Sequence, residues 1–198
     1  MFTKTDGEKI ARSWTAFVPR VYEGYPYLLA EMYAYSMAAA HEKLPHLRMD
    51  NLMVSNTGAG GEGWDWIDQL EDPCIPPDES GVFYSGKLMP NMLHFCQFYL
   101  VGDMAFGKRR VTSHNLFSCE AGLLREPSAN LGESEYKYTK KDAKIDENRK
   151  EKLSRVQAKR NAFMICTTHR ALNSAVIDYK QRMCGADANY ERTVDLVK

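Results

Sequence analysis

The sequence lacks several features that would assign a protein to a functional class directly. Its 198 residues carry 26 Lys and Arg against 26 Asp and Glu, so its formal net charge is zero. Because a general nucleic-acid binder normally carries a basic excess, we expect no nucleic-acid partner. No apolar run is long enough to cross a bilayer, and residues 1–7 have no apolar signal-peptide core. We therefore expect no membrane span in this chain, which carries no targeting signal of its own.

Familiar cysteine, glycine and nucleophile motifs are also missing. The five cysteines are scattered and form no CxxC pair, which argues against a zinc knuckle or a thioredoxin-like site. Their odd number is most consistent with buried free thiols, and one or two disulfides in an oxidising lumen are the alternative. The glycine-rich segment 57–63 lacks the strand and helix context of a dinucleotide-binding loop, and there is no GxSxG motif.

The apolar pattern predicts helices near both ends of the chain. Residues 8–23 and 158–183 show apolar side chains at helical spacing. Residues 27–41 are rich in Ala, Met, Leu and Glu and apolar nearly all round, so we expect this helix to be buried. Glu31 would then be a buried carboxylate that needs a partner or a polar cleft. Two roles for it are open, a structural ion pair or cap and an active-site acid.

Short strands are predicted between these helices, which makes the expected fold class α/β. Residues 52–54 and 82–84 read as strands, and residues 91–97 read as a strand that carries His94. Residues 98–106 form an apolar segment interrupted by Gly102. Residues 119–124 are read as a short helix.

The composition changes abruptly after residue 127. Lys, Glu, Asp and Arg of alternating sign dominate residues 132–160, which is typical of a solvated linker that merges into a helix. The sequence therefore predicts three parts, a compact domain at 1–127, a charged linker at 128–160 and a C-terminal helix packing on the domain at 161–198.

One stretch joins a candidate metal ligand to candidate phosphate binders. His94 follows an apolar lead-in, and the run continues through Gly102 to Lys108, Arg109 and Arg110. A neutral imidazole can bind a metal ion, and consecutive cations can hold a diphosphate. From spacing alone, however, His94 can equally be a core residue and the three cations a solvated face.

Several ordered motifs resemble those of the peptidyl serine alpha-galactosyltransferases of plants and algae, which are relatives of the hydroxyproline arabinosyltransferases. The resemblance covers most of residues 8–125 and the last helix. Its motifs are EKIARSW at 8–14, EMYAYSMAAA at 31–40, DNLMV at 50–54, LHF at 93–95 followed by VG at 101–102, Phe106 and Lys108, and the helix segment 162–173.

The resemblance implies a GT-A fold and retaining transfer of galactose from UDP-galactose to a serine of hydroxyproline-rich peptides. It implies a site in the lumen of the endoplasmic reticulum or Golgi and a dependence on Mn²⁺. His94 would be a metal ligand, a use that fits the tolerance of borderline metals for imidazole. Lys108 would contact the leaving diphosphate, with Arg109 and Gly102 beside it. Glu31 would be the acidic catalytic group near the acceptor.

The chain departs from the family pattern in one important respect. It contains no Asp-x-Asp motif and lacks the opening strand–helix units that bind uridine in GT-A enzymes. The chain is therefore predicted to be the C-terminal half of a GT-A-like catalytic domain with a long C-terminal helix. The alternatives are a non-catalytic interaction module that uses the last helix, and an inactive fragment of such an enzyme.

Overall fold

The structure is a computed structural model that describes residues 3–47, 49–75, 83–84, 87–128, 131, 137–139 and 150–196. The chain divides into two compact units, Met1–Met49 and Asp50–Lys198, and each has its own core. We call them unit 1 and unit 2.

Unit 1 is a pair of packed helices, α1 (Lys4–Gly24) and α2 (Ala30–His41), which confirms both helices expected in this region. The Thr3 side chain caps α1 by accepting a hydrogen bond from the Asp6 backbone N–H at 3.1 Å. Ala30, Ala34 and Ala38 are spaced by four residues, so they share one face of α2, and all three are buried. These small side chains let α2 pack closely on α1.

The expectation that α2 is buried all round is wrong. Met32, Tyr33 and Met37 are 57%, 50% and 53% exposed. Glu31 is also exposed, so it is not a buried carboxylate in need of a partner. The physical reason is that α2 has one helical neighbour in unit 1 and covers only its alanine face against it.

Unit 2 combines helices with two-stranded sheets, as the expected mixed α/β class requires. Its helices are α3 (Trp64–Ile67), α4 (Lys108–Ser113) and α5 (Arg155–Met183). Its strands are β1 (Met53–Val54), β2 (Phe83–Tyr84), β3 (Lys87–Leu88), β4 (Met92–Leu93), β5 (Tyr99–Val101), β6 (Met104–Phe106), β7 (Leu123–Leu124), β8 (Lys137–Thr139), β9 (Lys150–Lys152) and β10 (Thr193–Val194). The pairs β1–β4 and β7–β10 are parallel, and β2–β3, β5–β6 and β8–β9 are antiparallel.

The long helix α5 organises unit 2 and confirms the helix expected at 158–183. It begins three residues earlier because Ser154 and Gln157 form a capping box, in which each side chain bonds the other residue's backbone N–H. Ala162, Met164 and Ile165 are fully buried, and α5 packs against β5, β6 and β7. No helix among the described residues is long and apolar enough to span a membrane.

Polar side chains on α5 tie it to the strands around it. The Asn173 amide accepts from the Leu124 backbone N–H and donates to the Leu124 carbonyl, both at 2.8 Å. Buried His169 places Nδ1 and Nε2 each 3.1 Å from a backbone carbonyl oxygen, those of Arg125 and Ala105. His169 is therefore a packed histidine, and it fixes α5 to β6.

The strands predicted at 52–54 and 82–84 form, whereas the strand predicted at 91–97 forms only in part. Residues 52–54 and 82–84 contain β1 and β2, although residue 82 lies outside the described residues. Of the strand expected at 91–97, only Met92–Leu93 forms, and His94 follows its end. The 98–106 segment is the β5–β6 hairpin, in which Gly102 adopts a left-handed φ of 57°.

The short helix expected at 119–124 is wrong, because this segment contains β7. β7 pairs with β10, and a Cβ atom added to Gly122 would clash with the Arg192 carbonyl oxygen. The close approach of a strand 70 residues further along the chain overrides the local helical pattern.

The charged segment 128–160 is described only in part. Its described residues include the antiparallel pair β8–β9 and the start of α5. Much of the expected linker, including residues 140–149, lies outside the described residues. The division into 1–127, 128–160 and 161–198 stays a prediction.

The expectation of buried free thiols is wrong. Cys74 is bonded to Cys166 and Cys119 to Cys184, while the remaining thiol, Cys96, is exposed. Both bridges join α5 or its C-cap to residues far away in sequence. Spacing alone could not choose these pairs, because the fold brings the partners together across 92 and 65 residues.

Candidate functional site

The parallel pair β1–β4 brings two of the motif stretches side by side. Met53 pairs with Met92 and Val54 with Leu93, and the His94 backbone N–H donates to the Val54 carbonyl at 2.9 Å. Both strands end here in polar residues, Ser55 after β1 and His94 after β4. The carboxyl ends of parallel strands are where open α/β sheets bind ligands. We call this region the β1–β4 edge: Ser55, Asn56, Thr57, Glu62, His94, Cys96 and Gln97.

The Glu62 carboxylate stabilises the end of β1 by hydrogen bonds. Its carboxylate accepts from the Ser55 backbone N–H at 2.6 Å, from the Ser55 hydroxyl at 2.6 Å and from the Asn56 backbone N–H at 3.2 Å. The glycine-rich segment 57–63 therefore folds back, so that the Glu62 carboxylate contacts the residues at the end of β1. Sequence reasoning missed this role, although Glu62 is the one charged residue in that segment.

Tyr99 connects the two strand ends of the β1–β4 edge. Its buried hydroxyl donates to the Ser55 carbonyl at 2.5 Å and lies 3.2 Å from the His94 carbonyl. Burial raises the pKa of the Tyr99 phenol above its usual value, and nearby Cys96 and Glu62 act in the same direction. Tyr99 therefore stays protonated at neutral pH and joins the ends of β1 and β4 as a hydrogen-bond donor.

Arg160 of α5 contacts one side of the β1–β4 edge. This guanidinium forms a bidentate pair with Asp68 at 2.6 and 2.9 Å, and it also donates to the Thr57 carbonyl at 3.1 Å. The Trp64 ring lies under it, with the guanidinium carbon 5.1 Å from the ring centroid. Because Asp68 is engaged here, it is part of the scaffold.

The side chain of His94 is exposed at this edge, so the reading of His94 as a core residue is wrong. Gln97 and Cys96 follow it, and the Gln97 amide donates to the Thr57 hydroxyl at 3.2 Å. Among the described residues, no group of three or more His, Cys, Asp or Glu side chains could hold a metal ion. The His94 imidazole is thus exposed, without two further potential metal ligands grouped around it in the described part of the chain.

The predicted phosphate binders lie at the start of α4. Lys108 and Arg109 are exposed, and their side chains make no hydrogen bond or ion pair within the described part of the chain. Arg110 instead donates to the Leu196 carbonyl at 3.1 Å, and its guanidinium carbon stands 4.8 Å from the Phe98 ring centroid. Gly102 forms the β5–β6 turn. Two of the three cations are therefore available to a ligand, and the third is structural.

Glu31 belongs to unit 1, whereas His94, Gly102, Lys108 and Arg109 belong to unit 2. Its backbone carbonyl accepts from the Trp14 indole N–H at 2.8 Å, and its carboxylate is exposed in the first turn of α2. Its position favours stabilisation of the helix N-terminus, the role that the sequence left open as a cap.

A separate shallow groove runs along α5 and contains none of the predicted site residues. Asn173 lies at its base beside β7. Its lining residues are Glu126, Arg170, Asn173, Ser174, Ile177, Asp178 and Gln181.

No protein-family model matches the chain, and neither a curated protein nor a solved structure matches it significantly.

Proposed function

We propose that the chain is a segment of a GT-A-like glycosyltransferase that transfers galactose from UDP-galactose to a serine-containing peptide in the secretory pathway. The observation that carries the proposal is the pairing of β1 with β4. It sets the DNLMV stretch directly beside the LHF stretch, so two motifs far apart in sequence meet at one strand edge. The exposed histidine at that edge is the residue that the resemblance assigns to metal binding.

In this proposal His94 supplies one imidazole ligand to a Mn²⁺ ion on the donor diphosphate. The described residues around it do not complete a metal site, because the Glu62 carboxylate is engaged by Ser55 and Asn56. The chain alone therefore binds the metal weakly, and the remaining ligands come from the diphosphate and from protein outside this sequence.

Lys108 and Arg109 would add charge to the same donor. An ammonium or guanidinium with no ion-pair partner in the described residues is free to contact a diphosphate without first breaking another bond. Gly102 would act indirectly, because its left-handed turn sets the β5–β6 hairpin from which α4 follows.

A second candidate function is a non-catalytic interaction module, and one observation favours it. Apolar side chains on α2 and before it are exposed, a pattern that marks surfaces used in association. The missing Asp-x-Asp motif fits this reading as well.

Calorimetric titration of the full chain with UDP, with and without Mn²⁺, separates the two functions. We expect weak binding that strengthens with Mn²⁺ and falls roughly tenfold or more in His94→Ala, because one metal ligand is lost. Lys108→Ala should weaken UDP binding in the presence and absence of Mn²⁺ alike, because its contact is to the diphosphate.

His46→Ala is the matched control, since it removes another exposed histidine, which contacts Tyr35 in unit 1. It should leave UDP binding unchanged. Metal-independent binding, or an unaltered Mn²⁺ effect in His94→Ala, would remove His94 from the site. No UDP binding under either condition would favour the interaction module.

A further inference from the structure

The two disulfide bridges of unit 2 differ in how deeply they are buried. Cys74 and Cys166 are 1% and 0% exposed and belong to the apolar core around α5. Cys119 is half-buried, and Cys184 is 9% exposed and lies between two exposed residues. A disulfide opens only when a thiolate reaches one of its sulfur atoms. The Cys119–Cys184 bridge is therefore the one that a reductant in solution reaches more easily.

This more accessible bridge ties the end of α5 to the residues before β7. Cys184 is the C-cap of α5. In the last turn of the helix, the Lys180 ammonium donates to the Ala121 carbonyl and, at 2.8 Å, to the Asn189 carbonyl. Lys180 is fully buried, and burial lowers its pKa below the usual 10.5. The closed contact therefore carries a desolvation cost that is removed when water reaches the ammonium group.

Residues 185–196, which we call the C-terminal segment, follow the bridge and lie along β7. Within this segment β10 pairs with β7 in parallel. The Leu123 backbone N–H donates to the Arg192 carbonyl at 2.9 Å, and the Arg125 backbone N–H donates to the Val194 carbonyl at 3.0 Å. A two-stranded pair of this length is marginally stable by itself. The C-terminal segment therefore depends on the bridge that fixes its start.

The residue between these two donors is held by a different neighbour. The Leu124 backbone N–H donates to the Asn173 side chain of α5 at 2.8 Å. Asn173 lies about two helical turns after Cys166 and about three turns before the end of α5. The buried bridge therefore keeps this part of α5 in place when the other bridge opens. Successive amides thus report on different contacts, Leu123 and Arg125 on the C-terminal segment and Leu124 on α5.

We propose that the Cys119–Cys184 bridge is a redox-sensitive switch: a dithiol reductant opens it while the Cys74–Cys166 bridge stays closed, and its opening releases the C-terminal segment from β7. A thiolate of the reductant attacks one sulfur of the bridge, and the other sulfur leaves as a thiolate that takes up a proton. The second thiol of the reductant then displaces the remaining protein sulfur. The protein gains two electrons and two protons, and the reductant ends as its own disulfide.

The switch also reaches α4. Leu196 is fully buried in the C-terminal segment, and its carbonyl accepts from the Arg110 guanidinium of α4 at 3.1 Å. Release of the segment takes this acceptor away. Opening the bridge therefore removes one contact of α4, the helix that carries the exposed Lys108 and Arg109.

The first test measures the order in which the two bridges open. The full chain in a Cys96→Ser background, which removes the exposed free thiol, is treated with graded dithiothreitol. New thiols are then alkylated with iodoacetamide and located by mass spectrometry. Cys119 and Cys184 should be alkylated at a roughly tenfold lower concentration of dithiothreitol than Cys74 and Cys166, because the core shields the second pair. Simultaneous opening of the two bridges, or earlier opening of the buried one, would overturn the proposal.

The second test asks whether opening this bridge releases the C-terminal segment. Amide hydrogen exchange is followed by NMR in the partly reduced chain and in the oxidised one. The Leu123 and Arg125 amides should exchange roughly tenfold faster or more after reduction, whereas the Leu124 amide should change by less than roughly twofold. Unchanged exchange at Leu123 and Arg125 would contradict the proposal, because the segment would still be in place. Equal acceleration at Leu124 would also contradict it, because the opening would then extend beyond the segment.

Cys119→Ser with Cys184→Ser is the matched variant, and it should reproduce the exchange pattern of the partly reduced chain without any reductant. The oxidised Cys96→Ser protein is the control and should exchange as the wild type does. If the double variant does not fold, the partly reduced Cys96→Ser protein supplies the same measurement. Neither test involves UDP, so their outcomes are distinct from the test of the transferase proposal.

Discussion

In unit 1 the side chains buried between α1 and α2 are small, with Ile10 among alanines, whereas unit 2 encloses Trp64, Trp66 and Met164 around α5. Unit 2 also has two disulfides and buried polar contacts that link α5 to its strands. In unit 1, Ser13 of α1 donates to Glu42 at the end of α2, the Trp14 indole donates to the Glu31 carbonyl, and much of the apolar surface is exposed.

The difference shows where each unit draws its stability. Burial of large apolar side chains supplies most of the free energy of folding, and unit 2 does this with its own residues. A pair of helices whose contact is made mainly of alanine buries little apolar area per residue. Unit 1 therefore buries less apolar area and leaves Met32, Tyr33 and Met37 exposed.

Removing the Cys74–Cys166 bridge is the change with the largest expected effect on this contrast. Cys74→Ser with Cys166→Ser should lower the free energy of unfolding of unit 2 by about 2–5 kcal/mol, because the bridge closes a long loop. Urea unfolding in a Trp14→Phe background measures it, since the remaining tryptophans, Trp64 and Trp66, both lie in unit 2.

Cys96→Ser, which removes a thiol but no bridge, is the control for this experiment and should change the unfolding free energy by less than about 0.5 kcal/mol. An unchanged urea midpoint in the double variant would mean that the core of unit 2 is stable without the bridge.

A matched pair of core truncations comes next in size. Ile67→Ala should cost about 3 kcal/mol, since Ile67 is fully buried among the large side chains of unit 2. Ile10→Ala should cost less, about 2 kcal/mol, because the alanines around Ile10 can close part of the cavity. Urea unfolding followed by circular dichroism compares them, and equal costs would contradict the contrast between the cores.

The smallest expected effect is a pH dependence that comes from Lys180. Burial lowers the pKa of its ammonium group below the usual 10.5, against an opposing effect of Glu120. Between that lowered value and 10.5 the unfolded chain binds more protons, so the stability of unit 2 should rise with pH in this window. Lys180→Met should lose this rise, and the same slope in both proteins would rule out Lys180 as its source.

Patterns within short stretches of the sequence predicted the helices well. α1 and α5 follow from apolar spacing, and the Ser154 and Gln157 capping box could have placed the start of α5 from sequence as well. Residues 52–54 were identifiable as a strand because an apolar run stands between polar neighbours. These features depend on residues close together in the chain, which is why sequence reasoning reaches them.

Pairings between residues that are distant in sequence could not be predicted. The β7–β10 contact replaced the expected helix at 119–124, and the two bridges join cysteines whose spacing carries no information about the pairing. At the candidate site, His94 and Lys108 were predicted from sequence. Glu62, Tyr99 and Arg160 were missed, because their roles arise only when β1, β4 and α5 come together.

The two bridges interleave along the chain, since Cys119 lies between Cys74 and Cys166, and Cys166 lies between Cys119 and Cys184. A single proteolytic cut anywhere from residue 75 to residue 183 therefore leaves both pieces covalently attached. A cut between Cys119 and Cys166 leaves them attached twice. A protein with this connectivity can be nicked within its charged segment and still behave as one molecule until its disulfides are reduced.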